Sequence, residues 1–151
     1  MLKRIAIGTL AVVVGSIAGM VVMTGLHMAS GLVYPPPPGV DLASSTPAAQ
    51  VAMKAWLATL PAGAFLLASV AHGLGCMAGA ALATVIDRRR SLVPAIVVGA
   101  LFTVAGILNL AEIPHPAWFP YVDLPLYLLL AFAAGKRLTL QAAAIQESAH
   151  S

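Results

Sequence analysis

An all-α fold, a four-helix transmembrane bundle, is what this sequence predicts, and three observations carry the expectation. Of 151 residues, 60% are hydrophobic and only 9% are charged, whereas a soluble domain carries about a quarter charged residues to coat its surface. The mean hydropathy is +0.95, far too apolar for a disordered chain. Finally, four apolar stretches approach or exceed the ~20 residues with which an α-helix crosses a ~30 Å hydrocarbon layer.

The first stretch, 5–32, holds no charge, and His27 is its only titratable group. Lys3 and Arg4 before it would suit a signal peptide, but the apolar run is much longer than the ~7–15 residues of such a segment. Ala29 and Ser30 make a poor cleavage context, so the stretch reads as an uncleaved transmembrane helix. Pro35 to Pro38 then form a stiff polyproline II rod. Thr46-Pro47 reads as an N-cap with a first-turn proline, opening a short amphipathic helix in the outer loop. Met53, Trp56, Leu57 and Leu60 share one face of it, suited to lying along the membrane surface.

The second span, 61–86, is uncharged and contains His72. The third, 92–113, carries Glu112 at its end, and the fourth, 118–135, has Asp123 near its start. Residues 1–137 thus form a single transmembrane domain, and 138–151 read as a polar cytoplasmic tail. Short matches (Ala11-Val12-Val13-Val14-Gly15 with Ala95-Ile96-Val97-Val98-Gly99, and two Leu-Pro helix starts) are what a duplicated hairpin would leave. Chance matches of that length are common in apolar sequence.

Orientation follows from the basic residues. Lys3, Arg4, Arg88, Arg89, Arg90, Lys136 and Arg137 fall on one side of a four-span arrangement, and Lys54 alone on the other. This is the positive-inside pattern, with both termini cytoplasmic. It also accounts for the net charge of +3 without nucleic acid, for which no motif is present. The aromatic residues Tyr34, Trp56, Trp118, Phe119 and Tyr121 collect on the opposite, outer side, as an interfacial belt does.

Helix association in lipid relies on close packing of small residues. Gly15 and Gly19 make a GxxxG in the first span, Gly75 and Gly79 another in the second, and Gly99 and Gly106 lie two turns apart in the third. These faces predict a compact bundle, and they would equally serve a homo-oligomer or a membrane-protein partner. Polar residues also recur at helical spacing: Ser16, Met20, Met23 and His27; Ser69, His72 and Cys76; Gly106, Asn109 and Glu112. They are expected to point inward, away from lipid.

Depth follows from counting. His72 lies eleven residues below Pro61, or roughly 16 Å at ~1.5 Å per residue. Asp123 precedes Lys136 by thirteen residues, which sets it roughly 20 Å from the cytoplasmic side. His27, His72, Asn109, Glu112, His115 and Asp123 are therefore the candidates for one outward-facing polar cavity. Ionisable groups at such depth are costly, and that makes them candidates for function. Each also has a structural reading: interhelical hydrogen bonding for His72 and Asn109, interfacial water for Glu112 and His115, capping or a histidine partner for Asp123.

A single cysteine, Cys76, excludes an internal disulfide and CxxC-type zinc sites. Met23 with His27 and His72 with Cys76 are four-residue pairs whose soft sulfur and imidazole would suit copper, yet methionine and free cysteine are ordinary membrane-core residues, and no cofactor is expected. GxSxG, HExxH and paired-aspartate motifs are absent from the sequence, so nothing points to catalysis.

Two strings, Tyr34-Pro35-Pro36-Pro37-Pro38-Gly39 and Ile113-Pro114-His115-Pro116-Ala117-Trp118-Phe119, together with Asp123, resemble a group of small four-helix bacterial membrane proteins. The resemblance spans the chain up to Arg137. It implies that function lies in the outer loops and the His115–Asp123 region, and it brings no activity with it. The leading expectation is a non-enzymatic membrane protein whose outward cavity binds lipid or a small ligand, or docks a partner. Proton- or ion-coupled transport by the intramembrane His, Asp and Glu is the alternative, and an intramembrane enzyme the third.

Overall fold

A computed structural model describes residues 2–87 and 91–149. Arg88–Arg90, read above as a topology anchor, lie outside the described residues. Among the described residues every regular element is a helix: α1 (Leu2–Ser30), α2 (Pro47–Leu57), α3 (Ala62–Asp87), α4 (Val93–Glu112) and α5 (Phe119–Ser148). All but α2 are long and apolar enough to span a membrane, so the chain is a multi-pass membrane protein. Its outer surface agrees with that: Leu10, Val21, Val70, Val104, Leu108 and Leu129 are all more than half exposed. Such a continuous apolar exterior is tolerable only where lipid, not water, is the solvent.

Helix α3 is the hub, packed against α1, α4 and α5. It runs antiparallel to α1, with Gly15 facing Gly79 and Gly19 facing Gly75. A Cβ added to Gly15 would lie 2.5 Å from the Gly79 carbonyl oxygen, and one on Gly79 would lie 2.6 Å from that of Gly15. No side chain fits at either position, so the two GxxxG faces set the closest backbone approach in the bundle. Gly99 of α4 admits Ala131 of α5 in the same way, and Gly106 makes room for the ring of Tyr127.

Helix α5 runs parallel to α3. Its register is fixed by His72 against Asp123 and by the Cys76 thiol, which donates to the Tyr127 carbonyl at 3.3 Å. The resulting core consists of Cys76, Ala80, Ala83, Ala95, Val98, Phe102, Tyr127 and Ala131.

The four long helices cover the four apolar stretches, with one difference in extent and one in the direction a side chain faces. Helix α5 does not stop near Gly135 but continues through the expected tail to Ser148. Beyond Gly135 there is neither glycine nor proline, and leucine, alanine and glutamine favour helix. Lys136 and Arg137 therefore mark where the apolar segment ends, not where the helix does. In α1, Met20 is 48% exposed, off the inward stripe expected for it. The close contacts at Gly15 and Gly19 rotate the buried face onto Ala11, Gly15 and Gly19, which leaves Met20 toward lipid.

Helix α2 is held differently. Thr46 caps it, its side chain accepting from the Ala49 N–H at 3.3 Å, and Pro47 fills the first turn. No Cα of α2 comes within 8 Å of another helix, and no residue of it is fully buried. It roofs the end of the bundle by its side chains alone.

Candidate functional site

The bundle has two unlike ends. Lys3, Arg4, Lys136 and Arg137 mark the basic end; the α1–α3 and α4–α5 connections, with their prolines, mark the other. At the proline-rich end lies a cavity of about 300 Å³. Its walls are mostly apolar and aromatic, with Trp56 and Leu57 of α2 above and Phe65 and Phe119 at the sides. The cavity reaches down to His27 and His72. Beyond His72 the bundle closes: Cys76, Ala80, Ala83 and Val98 are fully buried, and Phe102 is 7% exposed.

The floor is built from three helices. His72 is placed in the middle of α3 by the α1–α3 glycine contacts on one side and α5 on the other. Its Nδ1 lies 2.8 Å and 3.0 Å from the two Asp123 oxygens. Tyr127, one turn further along α5, donates its hydroxyl to Asp123 Oδ2 at 3.0 Å and stacks on the His72 ring at 5.8 Å between centroids. Asp123 is 1% exposed, and these two contacts are what make its burial tolerable. From α1, His27 directs Nδ1 to the Met23 carbonyl at 2.9 Å, and its ring centroid lies 5.0 Å from that of His72.

The predicted candidates are thus sorted by the fold. His27, His72, Asn109 and His115 line the cavity, with Asn109 on its exposed rim. Asp123 is not a wall residue; it stands behind His72. Nor does it cap α5, since it lies in the helix's second turn. Glu112, a cavity candidate whose structural reading was interfacial water, ends α4 on the surface, where its carboxylate lies 3.4 Å from Lys54 Nζ of α2. As the last residue of the helix it reaches water, which is the cheaper place for its charge.

Of the four residues considered for copper, two direct a polar atom to a backbone carbonyl. Cys76 turns to the Tyr127 carbonyl and His27 Nδ1 to that of Met23. Among the described residues no three His, Cys, Asp or Glu side chains form a metal-ligating group. Ser69, one turn from His72, is buried without a hydrogen-bond partner among the described residues, so the two do not form a dyad.

Tyr127 was not singled out by sequence reasoning. The available signal was its position four residues after Asp123, which puts both on one helix face.

No protein-family model, curated protein or solved structure matches the chain. What the site can do therefore rests on its own chemistry: a largely apolar cavity, open at one end of the bundle and closed by the core at the other, with two histidines at its floor and a buried carboxylate behind one of them.

Proposed function

We propose that this is a non-enzymatic, multi-pass protein of a bacterial inner membrane that binds a lipid-like or other small amphiphilic ligand in the cavity at its proline-rich end. One observation carries the reading. The cavity combines apolar and aromatic walls with a few polar groups at its base, the composition by which small-molecule sites hold an apolar body and orient a polar head. Helix α2, tied to the bundle by side chains only, gives such a ligand a way in. The distribution of basic residues supports cytoplasmic termini and an outward-facing cavity, and the resemblance carried by the YPPPPG and IPHPxWF strings points to the same end.

Native mass spectrometry of protein extracted directly from membranes tests the reading. A bound lipid or small molecule, lost when Phe65 or Ala68 is replaced by tryptophan to fill the cavity, is the expected result. Adducts that survive the filled cavity would contradict it. Alkaline-phosphatase fusions test the orientation: fusions after Arg90 should be inactive, and activity there would overturn it.

Proton-coupled transport is the second reading, favoured by the His72–Asp123 contact, since a histidine–carboxylate pair can pass a proton near neutral pH. It requires the core beyond His72 to open in another conformation. In proteoliposomes it predicts loss of proton flux on Asp123→Asn or His72→Ala with folding intact, and unchanged flux in both would exclude it.

A further inference from the structure

The hydrogen-bonding roles at the cavity floor define which head group fits there. A backbone carbonyl only accepts, so His27 Nδ1, 2.9 Å from the Met23 oxygen, carries that ring's proton. Asp123 accepts from the Tyr127 hydroxyl and from His72 Nδ1. In the neutral rings the second nitrogen, Nε2, is then an acceptor in both cases, and neither Nε2 has a hydrogen-bond partner among the described residues. Ser30, the nearest wall hydroxyl in sequence, is already committed to the His27 carbonyl at 2.8 Å. With both imidazoles in their neutral form the floor presents two acceptors, and a head group that only accepts would leave them unpaired.

The walls around that floor are aromatic. Phe65 meets Phe119 edge-on at 5.5 Å, and Phe119 lies edge-on to His72 at 6.4 Å and to His115 at 6.0 Å. Edge-to-face clusters of this kind accommodate a further ring favourably.

We infer that the ligand class is an aryl alcohol carried in the membrane, a phenol or hydroquinol with an apolar tail. Its hydroxyl donates to His72 Nε2, its ring sits among Phe65, Phe119 and His115, and its tail leaves beneath α2. This deepens the proposed ligand-binding function and rests on it.

Equilibrium binding to the full chain in lipid nanodiscs, corrected by empty nanodiscs, tests the inference with three probes: para-nonylphenol, its methyl ether and dodecanol. The methyl ether keeps ring and tail but cannot donate, and dodecanol donates but has no ring. The phenol should bind about tenfold more tightly than either, the order of one hydrogen bond. In His72→Phe the phenol should fall to the level of the methyl ether, whose own binding stays unchanged. The wild-type comparison stands even if that variant fails to fold. Equal binding of phenol and ether, equal binding of phenol and dodecanol, or full retention of the preference in His72→Phe each overturns the aryl-alcohol inference while leaving the cavity as a ligand site. Binding of none of the three above empty nanodiscs overturns the inference and speaks against the broader reading too, a result that native mass spectrometry separates by showing whether any other ligand is carried.

Discussion

Replacing Asp123 by alanine strips the acceptor from two buried donors, and the topology says how much of that loss is measurable. The Tyr127 hydroxyl reaches Asp123 within one helix, four residues away, so this bond also forms in a detergent-unfolded state that keeps its helices. The His72 contact joins α3 to α5 across 51 residues of chain and exists only in the folded bundle. Hydrogen bonds to charged groups are worth about 1.5–3 kcal/mol, while interhelical bonds in membranes average about 0.6 and reach about 1.7 kcal/mol. With Asp123 1% exposed and out of reach of water, the upper part of the membrane range applies. Asp123→Ala should therefore cost about 2 kcal/mol in an SDS titration of mixed micelles followed by circular dichroism. A double-mutant cycle with His72→Ala should give a coupling of about 1–2 kcal/mol, because the second change removes the orphaned partner. The cycle of Asp123→Ala with Tyr127→Phe should give under about 0.5 kcal/mol, since that bond is common to both states. Additive effects of Asp123 and His72, or coupling to Tyr127 larger than to His72, would refute the argument.

Other perturbations separate packing from function. Gly79→Leu should prevent folding, because even a Cβ there lies 2.6 Å from the Gly15 carbonyl; Gly25→Ala, with open space around it, should change stability by no more than about 0.5 kcal/mol, and thermal melts of the two check the contrast. Glu112→Gln should cost under about 1 kcal/mol, as exposed ion pairs do, yet release ligand faster by unfastening Lys54 of α2, an effect that high salt should reproduce in wild type and not in the variant. Removing the chain after Leu140 should leave the melting temperature within a few degrees, since most of that stretch is exposed; a large drop would mean that it is packed.

The spans were legible because hydropathy over 20 residues is a coarse, additive signal, insensitive to neighbours. Their glycines were legible as well, since Gly15, Gly19, Gly75 and Gly79 recur at the spacing that brings backbones together. What sequence could not give was register. His72 and Asp123 stood out separately as buried ionisable groups, but their meeting depends on α3 and α5 lying parallel with a particular offset, which tertiary packing decides. The same packing turned Met20 outward and left Glu112 on the surface with Lys54. The helical run to Ser148 was missed for a different reason: loss of apolar character after Lys136 ends a membrane span, and helix propensity does not end with it.

Photolabelling tests the account's central claim most directly. An alkyl-diazirine amphiphile, photolysed with the protein in nanodiscs and mapped by peptide mass spectrometry, should mark the cavity residues Phe65, Ala68, His72 and Phe119 saturably, and competition by unlabelled amphiphile should erase those marks. Labels confined to the lipid-facing Val70, Leu74 and Leu129, unsaturable and unaffected by competitor, would contradict a ligand-binding cavity.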